Sequence, residues 1–184
     1  MSLLSYISFP REVDKSCLKS KYDKSKSFTI KEIRGTELEK QFKGDITNLP
    51  DDMSVYLGDW SDLHGLTIHD KGIATFDDVF TNQFIYCFGS PFAHPFKLFD
   101  EKNFIRSKEY KDNATLCRQQ LYDLVYFNTR PNEVVEIYAE WIKQKNIYDF
   151  GPPEETIKLN INQILTSELL DTKEKIKIEI HNMR

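Results

Sequence analysis

Four histidines, His64, His69, His94 and His181, and eight aspartates crowded between residues 44 and 80 are the side chains of this 184-residue chain best suited to holding a metal or moving a proton. Imidazole and carboxylate together ligate zinc or iron, and His64 and His69 stand close in sequence to Asp59, Asp62 and Asp70. Their spacing opposes a shared site. Five residues apart, two side chains fall on opposite faces of a strand and about 140° apart on a helix, so both histidines read as solvated turn residues. Cys87 and His94 offer a thiol and a base, but Cys87 lies within the apolar run Phe84-Ile85-Tyr86-Cys87-Phe88, where desolvation keeps a thiol protonated and inert. Gly89-Ser90-Pro91 lacks the second glycine of a nucleophile elbow. Neither GxGxxG nor GxxxxGK[ST] occurs, so no dinucleotide site or P-loop is expected. Cys17, Cys87 and Cys117 are widely spaced without a CxxC pair, which gives neither a disulfide framework nor a zinc site. No catalytic residue, cofactor or metal ligand is assigned, and the chain is expected not to be an enzyme. The alternative is a small hydrolase or nucleotide-modifying enzyme whose site is built from scattered residues such as Asp62, His64 and His94.

Charge carries more information. The net charge is −4, yet residues 1–43 hold ten Lys/Arg against six Asp/Glu, while residues 44–80 hold Asp45, Asp51, Asp52, Asp59, Asp62, Asp70, Asp77 and Asp78 against Lys71 alone. Aspartate in turns often serves the backbone through Asx-turns and caps, and this accounts for some of the eight. The near absence of lysine from the same stretch favours a real negative patch suited to a basic partner. The candidate partner-binding residues are Asp59, Asp62, Asp77 and Asp78, with Tyr56 and Trp60 as aromatic anchors. The basic residues of the first segment, Lys15, Lys19, Lys21, Lys24, Lys26, Lys31 and Arg34, are interrupted by acids, so direct nucleic-acid binding is not expected. The longest apolar run is far below the ~20 residues that span a bilayer. The apolar start has no basic residue before it and no small-residue cleavage site after it, so no signal peptide is expected. A cytoplasmic protein follows as the expectation.

The elements that must position these residues read as follows. Leu3–Phe9 is a strand stopped by Pro10, residues 14–23 a short helix, Phe28–Ile33 a strand ended by Gly35, and Val55–Trp60 another. Short strands are expected over Leu66–His69 and Ile73–Phe76. Phe76, Phe80, Phe84, Phe88, Phe92 and Phe96 recur every four residues, but Gly89, Pro91 and Pro95 forbid one helix, so Gln83–Phe88 reads as a strand buried on both faces. Two helices are expected next. The first is capped by Asp112 or Asn113 with Ala114, Cys117, Leu121, Leu124, Val125 and Asn128 inward. The second starts at Pro131 with Val134, Val135, Tyr138, Trp141 and Ile142 inward. The alternations Ile157, Leu159, Ile161 and Ile176, Ile178, Ile180 read as two half-buried strands. The fold class expected is α+β, an antiparallel or mixed sheet with two or three packed helices, in a single domain over residues 1–184. One core is expected to hold Phe84, Tyr86, Phe88, Leu121, Leu124, Val135, Tyr138 and Trp141.

Two segments, Tyr6-Ile7-Ser8-Phe9-Pro10-Arg11-Glu12-Val13-Asp14 and Phe80-Thr81-Asn82-Gln83-Phe84-Ile85-Tyr86, resemble parts of bacterial immunity proteins of the contact-dependent growth inhibition type. The resemblance implies a cytosolic antitoxin that binds one cognate toxin domain, often a nuclease, and blocks it stoichiometrically without turnover. It assigns no interface residues and leaves the oligomeric state open.

Overall fold

Alternation along Leu3–Phe9 sends Tyr6 and Ser8 to one side of a strand and Ile7 and Phe9 to the other, and all four are buried, as a strand inside a sheet requires. The computed structural model in which this is seen describes residues 3–18, 23–42, 44–91, 107–141, 149–170 and 174–184. The chain forms two compact units, Met1–Lys19 with Gly65–Arg184, and Ser20–His64.

The first unit is built on a six-stranded sheet in the order β4-β6-β1-β7-β10-β9, where β1 is Leu3–Phe9, β4 Thr67–Asp70, β6 Phe84–Gly89, β7 Val134–Trp141, β9 Glu155–Asn160 and β10 Ile176–His181. Every pairing is antiparallel except β9 with β10, so the sheet is mixed. One long helix, α2 over Ser107–Asn128, brings Cys117, Leu121, Leu124 and Val125 into a core shared with Ile7, Phe9, Val135, Ile137, Ile178 and Ile180. Residues of opposite parity, Tyr6 and Tyr138, join Ala74, Val79 and Phe150 in a separate cluster. This is an α+β arrangement dominated by sheet.

The second unit pairs β2, Ser27–Thr29, with β3, Ser54–Tyr56, in register Phe28 to Val55. A one-turn helix, α1 over Ile30–Ile33, buries Ile30 and Ile33 against Ile46 and Val55.

Several expectations need correcting. The second helix, from Pro131, is the strand β7: Pro131 and Asn132 instead form a turn in which Asn132 takes φ 67°, and the Asn132 N–H donates to Asn182 O at 2.7 Å. As a central strand, β7 sends Val135 and Ile137 toward α2 and Glu136 and Tyr138 to the opposite face, and its valines and isoleucine favour the extended chain. Strand Phe28–Ile33 ends at Thr29, because Thr29 and Glu32 form a reciprocal capping box that starts α1. Strand Val55–Trp60 ends at Tyr56 and gives way to a single 3-10 turn over Trp60–Leu63. In place of the helix expected over 14–23, Asp14 Oδ1 accepts from the Ser16 N–H at 2.9 Å in a turn, and residues 19–22 lie outside the described residues. The helix expected from Asp112 begins at Ser107, so Asn113 is interior and buried, and its stripe of Ala114, Cys117, Leu121, Leu124, Val125 and Asn128 is buried as expected. The single core is divided: Tyr86, Phe88, Leu121, Leu124 and Val135 share one cluster, Tyr138 belongs to the other, and Phe84 is 36% exposed. Phe92, Phe96, Ile142 and the side chains of Trp60 and Trp141 lie outside the described residues.

Candidate interaction surface

The six candidate residues fall into two groups. Asp77 and Asp78 belong to the first unit; Tyr56, Asp59, Trp60 and Asp62 belong to the second.

Asp77 and Asp78 follow β5, Thr75–Phe76, which pairs in parallel with β8, Asp149–Phe150. Phe76 stacks on Phe150 at 5.2 Å between ring centroids and meets Tyr6 edge-on at 4.7 Å. The Asp77 N–H donates to Phe150 O at 3.2 Å. Beyond the turn, Val79 is buried and Phe80 packs edge-on against Phe76 at 5.1 Å. Apolar side chains therefore grip the turn on both sides and leave both carboxylates exposed. Asp78 takes φ 56°, a left-handed conformation that aspartate tolerates better than most residues. Neither carboxylate has an ion pair among the described residues.

The anchor of the far side is Glu136, on β7 and almost fully buried. Its carboxylate accepts from Ser8 Oγ at 2.9 Å, from the Thr81 N–H and Oγ1 at 3.0 Å each, from the Asn82 N–H at 3.1 Å and from Lys177 Nζ at 3.2 Å. Asn82 Nδ2 in turn donates to Val134 O at 3.0 Å. Burial alone would raise the Glu136 carboxyl, but hydrogen bonds from Asn82, Ser8 and Lys177, with the charge of Lys177, hold it below its ordinary value. With its lone pairs spent on five donors, this carboxylate is a staple that ties residues 81–82 to the sheet. Sequence reasoning missed it, because Ser8, Thr81, Glu136 and Lys177 lie far apart along the chain and become neighbours only through sheet register.

In the second unit the acidic residues are more engaged. Asp62 pairs with Lys26 at 3.8 Å, Asp51 with Arg34 at 2.7 Å, and Asp45 accepts from the Thr47 N–H at 2.8 Å. Asp59 is exposed. Tyr56 is half-buried, and a Cβ at Gly58 would stand 2.4 Å from its ring, so the glycine makes room for the tyrosine. The unit holds seven Lys/Arg against nine Asp/Glu, so the sharp sign change along the sequence becomes a modest net of −2 once the basic and acidic stretches fold together. In the first unit, Asp70 lies 3.7 Å from Lys15.

The residues of the enzymatic alternative are not assembled by what is described: Asp62 is paired with Lys26, and His94 lies outside the described residues. His64 belongs to the second unit and His69 to the first. Among the described residues, no three His, Cys, Asp or Glu side chains converge as metal ligands would, and no helix is long and apolar enough to cross a membrane. Burial raises the Cys87 thiol above its ordinary value. Comparison with known protein families, curated proteins and solved structures finds no match for the chain.

Proposed function

We propose that the chain is an immunity protein: a cytoplasmic, non-catalytic antitoxin that binds a basic toxin domain, most readily a nuclease, and covers its active site. The observation that supports this reading is the Asp77–Asp78 turn, two exposed carboxylates without an ion pair among the described residues, clamped by aromatic packing on one side and by the Glu136 staple on the other. A nuclease is basic where it grips phosphate, and a rigid acidic projection attracts such a groove at long range and loses little freedom on docking. Asp59 and Asp62, with Tyr56 and Trp60, are the contacts proposed for the second unit.

The test takes a candidate basic toxin domain, sought first among the genes that neighbour this chain's, and compares the wild type with Asp77→Lys/Asp78→Lys and Asp59→Lys/Asp62→Lys. The first pair is expected to slow association about tenfold at low salt, with a smaller difference at high salt because the Debye length shortens. The second pair is expected to act less, since Asp62 already answers Lys26. A wild-type association rate indifferent to salt would remove the electrostatic basis of the reading.

A further inference from the structure

Where α2 ends, its last carbonyls need donors from outside the helix, and a single cation serves two of the carbonyls there. Arg184 Nη2 donates to Tyr126 O and to Thr129 O at 2.8 Å each, and Arg184 Nε donates to Asn182 Oδ1 at 2.9 Å. The guanidinium carbon stands 3.9 Å from the centroid of the Tyr126 ring, well inside the ~6 Å over which an aromatic face attracts a cation. Tyr126 is itself stacked on Tyr122 at 5.9 Å, and Tyr122 packs against the main core. Three acceptors and an aromatic platform thus converge on one planar cation.

The receiving groups are held in place by bonds that do not involve Arg184. Asn182 is fully buried: its Nδ2 donates to Thr129 Oγ1 at 2.8 Å, its N–H donates to Glu133 O at 3.0 Å, and its O accepts from the Asn132 N–H at 2.7 Å. Thr129 Oγ1 donates in turn to Val125 O at 2.6 Å. Arg184 itself is exposed, as is Met183 before it. The site is therefore preformed, with its occupant on the outside, and withdrawing that one side chain leaves the acceptors anchored. The C-terminal end of a helix adds partial negative charge. An ammonium could meet the carbonyls, but only a guanidinium can lie flat on the ring while its edge reaches Asn182 as well.

We infer that the end of α2 is an arginine-binding site, filled by the chain's own Arg184 and open to an arginine side chain of a partner protein that displaces it. Residues 182–184 are then a strap, anchored by Asn182 and closed by Arg184. The exchange loses no hydrogen bond, because one guanidinium replaces another on the same acceptors. Arg184 sets the threshold for it, since a side chain tethered next to its own site competes at an effective concentration on the order of millimolar. The inference goes beyond the proposed function: it uses none of the acidic-turn residues, and its test needs no toxin.

The test titrates ethylguanidinium into the full-length Arg184→Ala variant and follows the backbone amide NMR shifts of Phe127 and Arg130, whose peptide groups carry the Tyr126 and Thr129 carbonyls. Saturable shifts at both amides are expected in the variant, with an apparent affinity about tenfold weaker in the wild type, where Arg184 competes. Ethylammonium is expected to give no saturable shift. Adding Tyr126→Leu to Arg184→Ala should weaken ethylguanidinium about threefold by removing the aromatic face. Nα-acetyl-arginine methylamide should bind the variant as ethylguanidinium does. If Arg184→Ala loosens the strap, ethylguanidinium is expected to restore hydrogen-exchange protection at the Asn132 and Asn182 N–H groups, which bond in the wild type to Asn182 O and Glu133 O. Neither saturable shifts nor restored protection, equal affinity in variant and wild type, or an equal response to ethylammonium overturns the site. Affinity unchanged by Tyr126→Leu overturns the role of the ring. Exclusion of the capped arginine while ethylguanidinium binds overturns the assignment to a partner's arginine.

Discussion

The two faces of the six-stranded sheet solve the same problem in opposite ways. On the face that meets α2, Ile7, Val135, Ile137, Ile178 and Ile180 interdigitate with Cys117, Leu121, Leu124 and Val125, and each fills space that any apolar neighbour of similar volume could fill. On the other face an aromatic cluster around Tyr6, Tyr138 and Phe150 adjoins a charged row, Ser8 beside Glu136 beside Glu179 beside Lys158, bridged by Lys177 to Glu136 at 3.2 Å and to Glu179 at 3.7 Å. The first face relies mainly on volume, with a specific pairing in its cluster where the Val13 N–H donates to the Tyr86 hydroxyl at 3.2 Å. The second depends on a few polar pairings, and those pairings hold the loop that projects Asp77 and Asp78. Stability is spread widely on one side, and presentation of the candidate binding turn is concentrated on the other.

The largest effect should come from cutting the charged row at its centre. Glu136→Leu leaves Lys177, whose side chain is 11% exposed, without its main counter-charge, together with two buried or half-buried N–H donors at Thr81 and Asn82. Breaking one partner of a buried pair costs about 3 to 5 kcal/mol, to be read from urea melts. Glu136→Leu/Lys177→Leu should cost less than the single change, because it removes the stranded charge. If the double variant is as unstable as the sum of its parts, the row acts as independent contacts and the contrast between the faces fails. The same carboxylate has a pH signature. Its folded value lies below the ordinary 4.5, so its contribution is fully present above that pH and is lost as pH falls through the lower folded value. The stability gap between wild type and Glu136→Gln should accordingly narrow on acidification, and a gap that widens toward low pH would contradict the assigned direction.

On the α2 face the matching experiment is Leu121→Ala, where a fully buried side chain leaves a cavity worth about 2 to 5 kcal/mol, with Leu121→Met nearly neutral. That tolerance is expected of the helix face and not of Glu136. This face was also the more legible in the sequence. The three- and four-residue recurrence from Ala114 to Asn128 declares a helix because one side of it is polar. β7 was illegible for a different reason: Val134, Val135, Tyr138 and Trp141 are spaced as a helical stripe would be, and the period-two pattern is blurred because the face that carries Glu136 and Glu140 also carries Val134 and Tyr138. The charged row was invisible because register, not spacing, creates it. Charge blocks along the chain misled in the same manner, since β2 and β3 bring lysines of one block beside aspartates of the other, as Lys26 and Asp62 demonstrate.

The smallest effect tests whether local signals suffice where the core is thin. The unit Ser20–His64 buries Ile30, Ile33, Ile46 and Val55 in its cluster, so α1, only four residues long, relies on its cap. Thr29 Oγ1 accepts from the Glu32 N–H at 3.4 Å, and the Glu32 carboxylate accepts from the Thr29 N–H at 2.7 Å, which holds that carboxyl below its ordinary value through the Thr29 backbone first and its hydroxyl second. The stronger bond is the one made by Glu32, not the one made by the nominal cap. Thr29→Ala is therefore expected to cost about 1 kcal/mol at most, the usual worth of a cap, and Glu32→Ala at least as much. Thr29→Ser should be close to neutral. Amide hydrogen exchange at Ile33 and Arg34 reads the effect locally, because the Arg34 N–H donates to Ile30 O at 3.0 Å and reports the closing of that single turn. Unchanged protection at Arg34 in both alanine variants would show that burial of Ile30 and Ile33 alone holds the turn, and that the Thr-x-x-Glu pattern, the one local signal which distinguishes this helix from the strand its alternation suggests, contributes nothing to it.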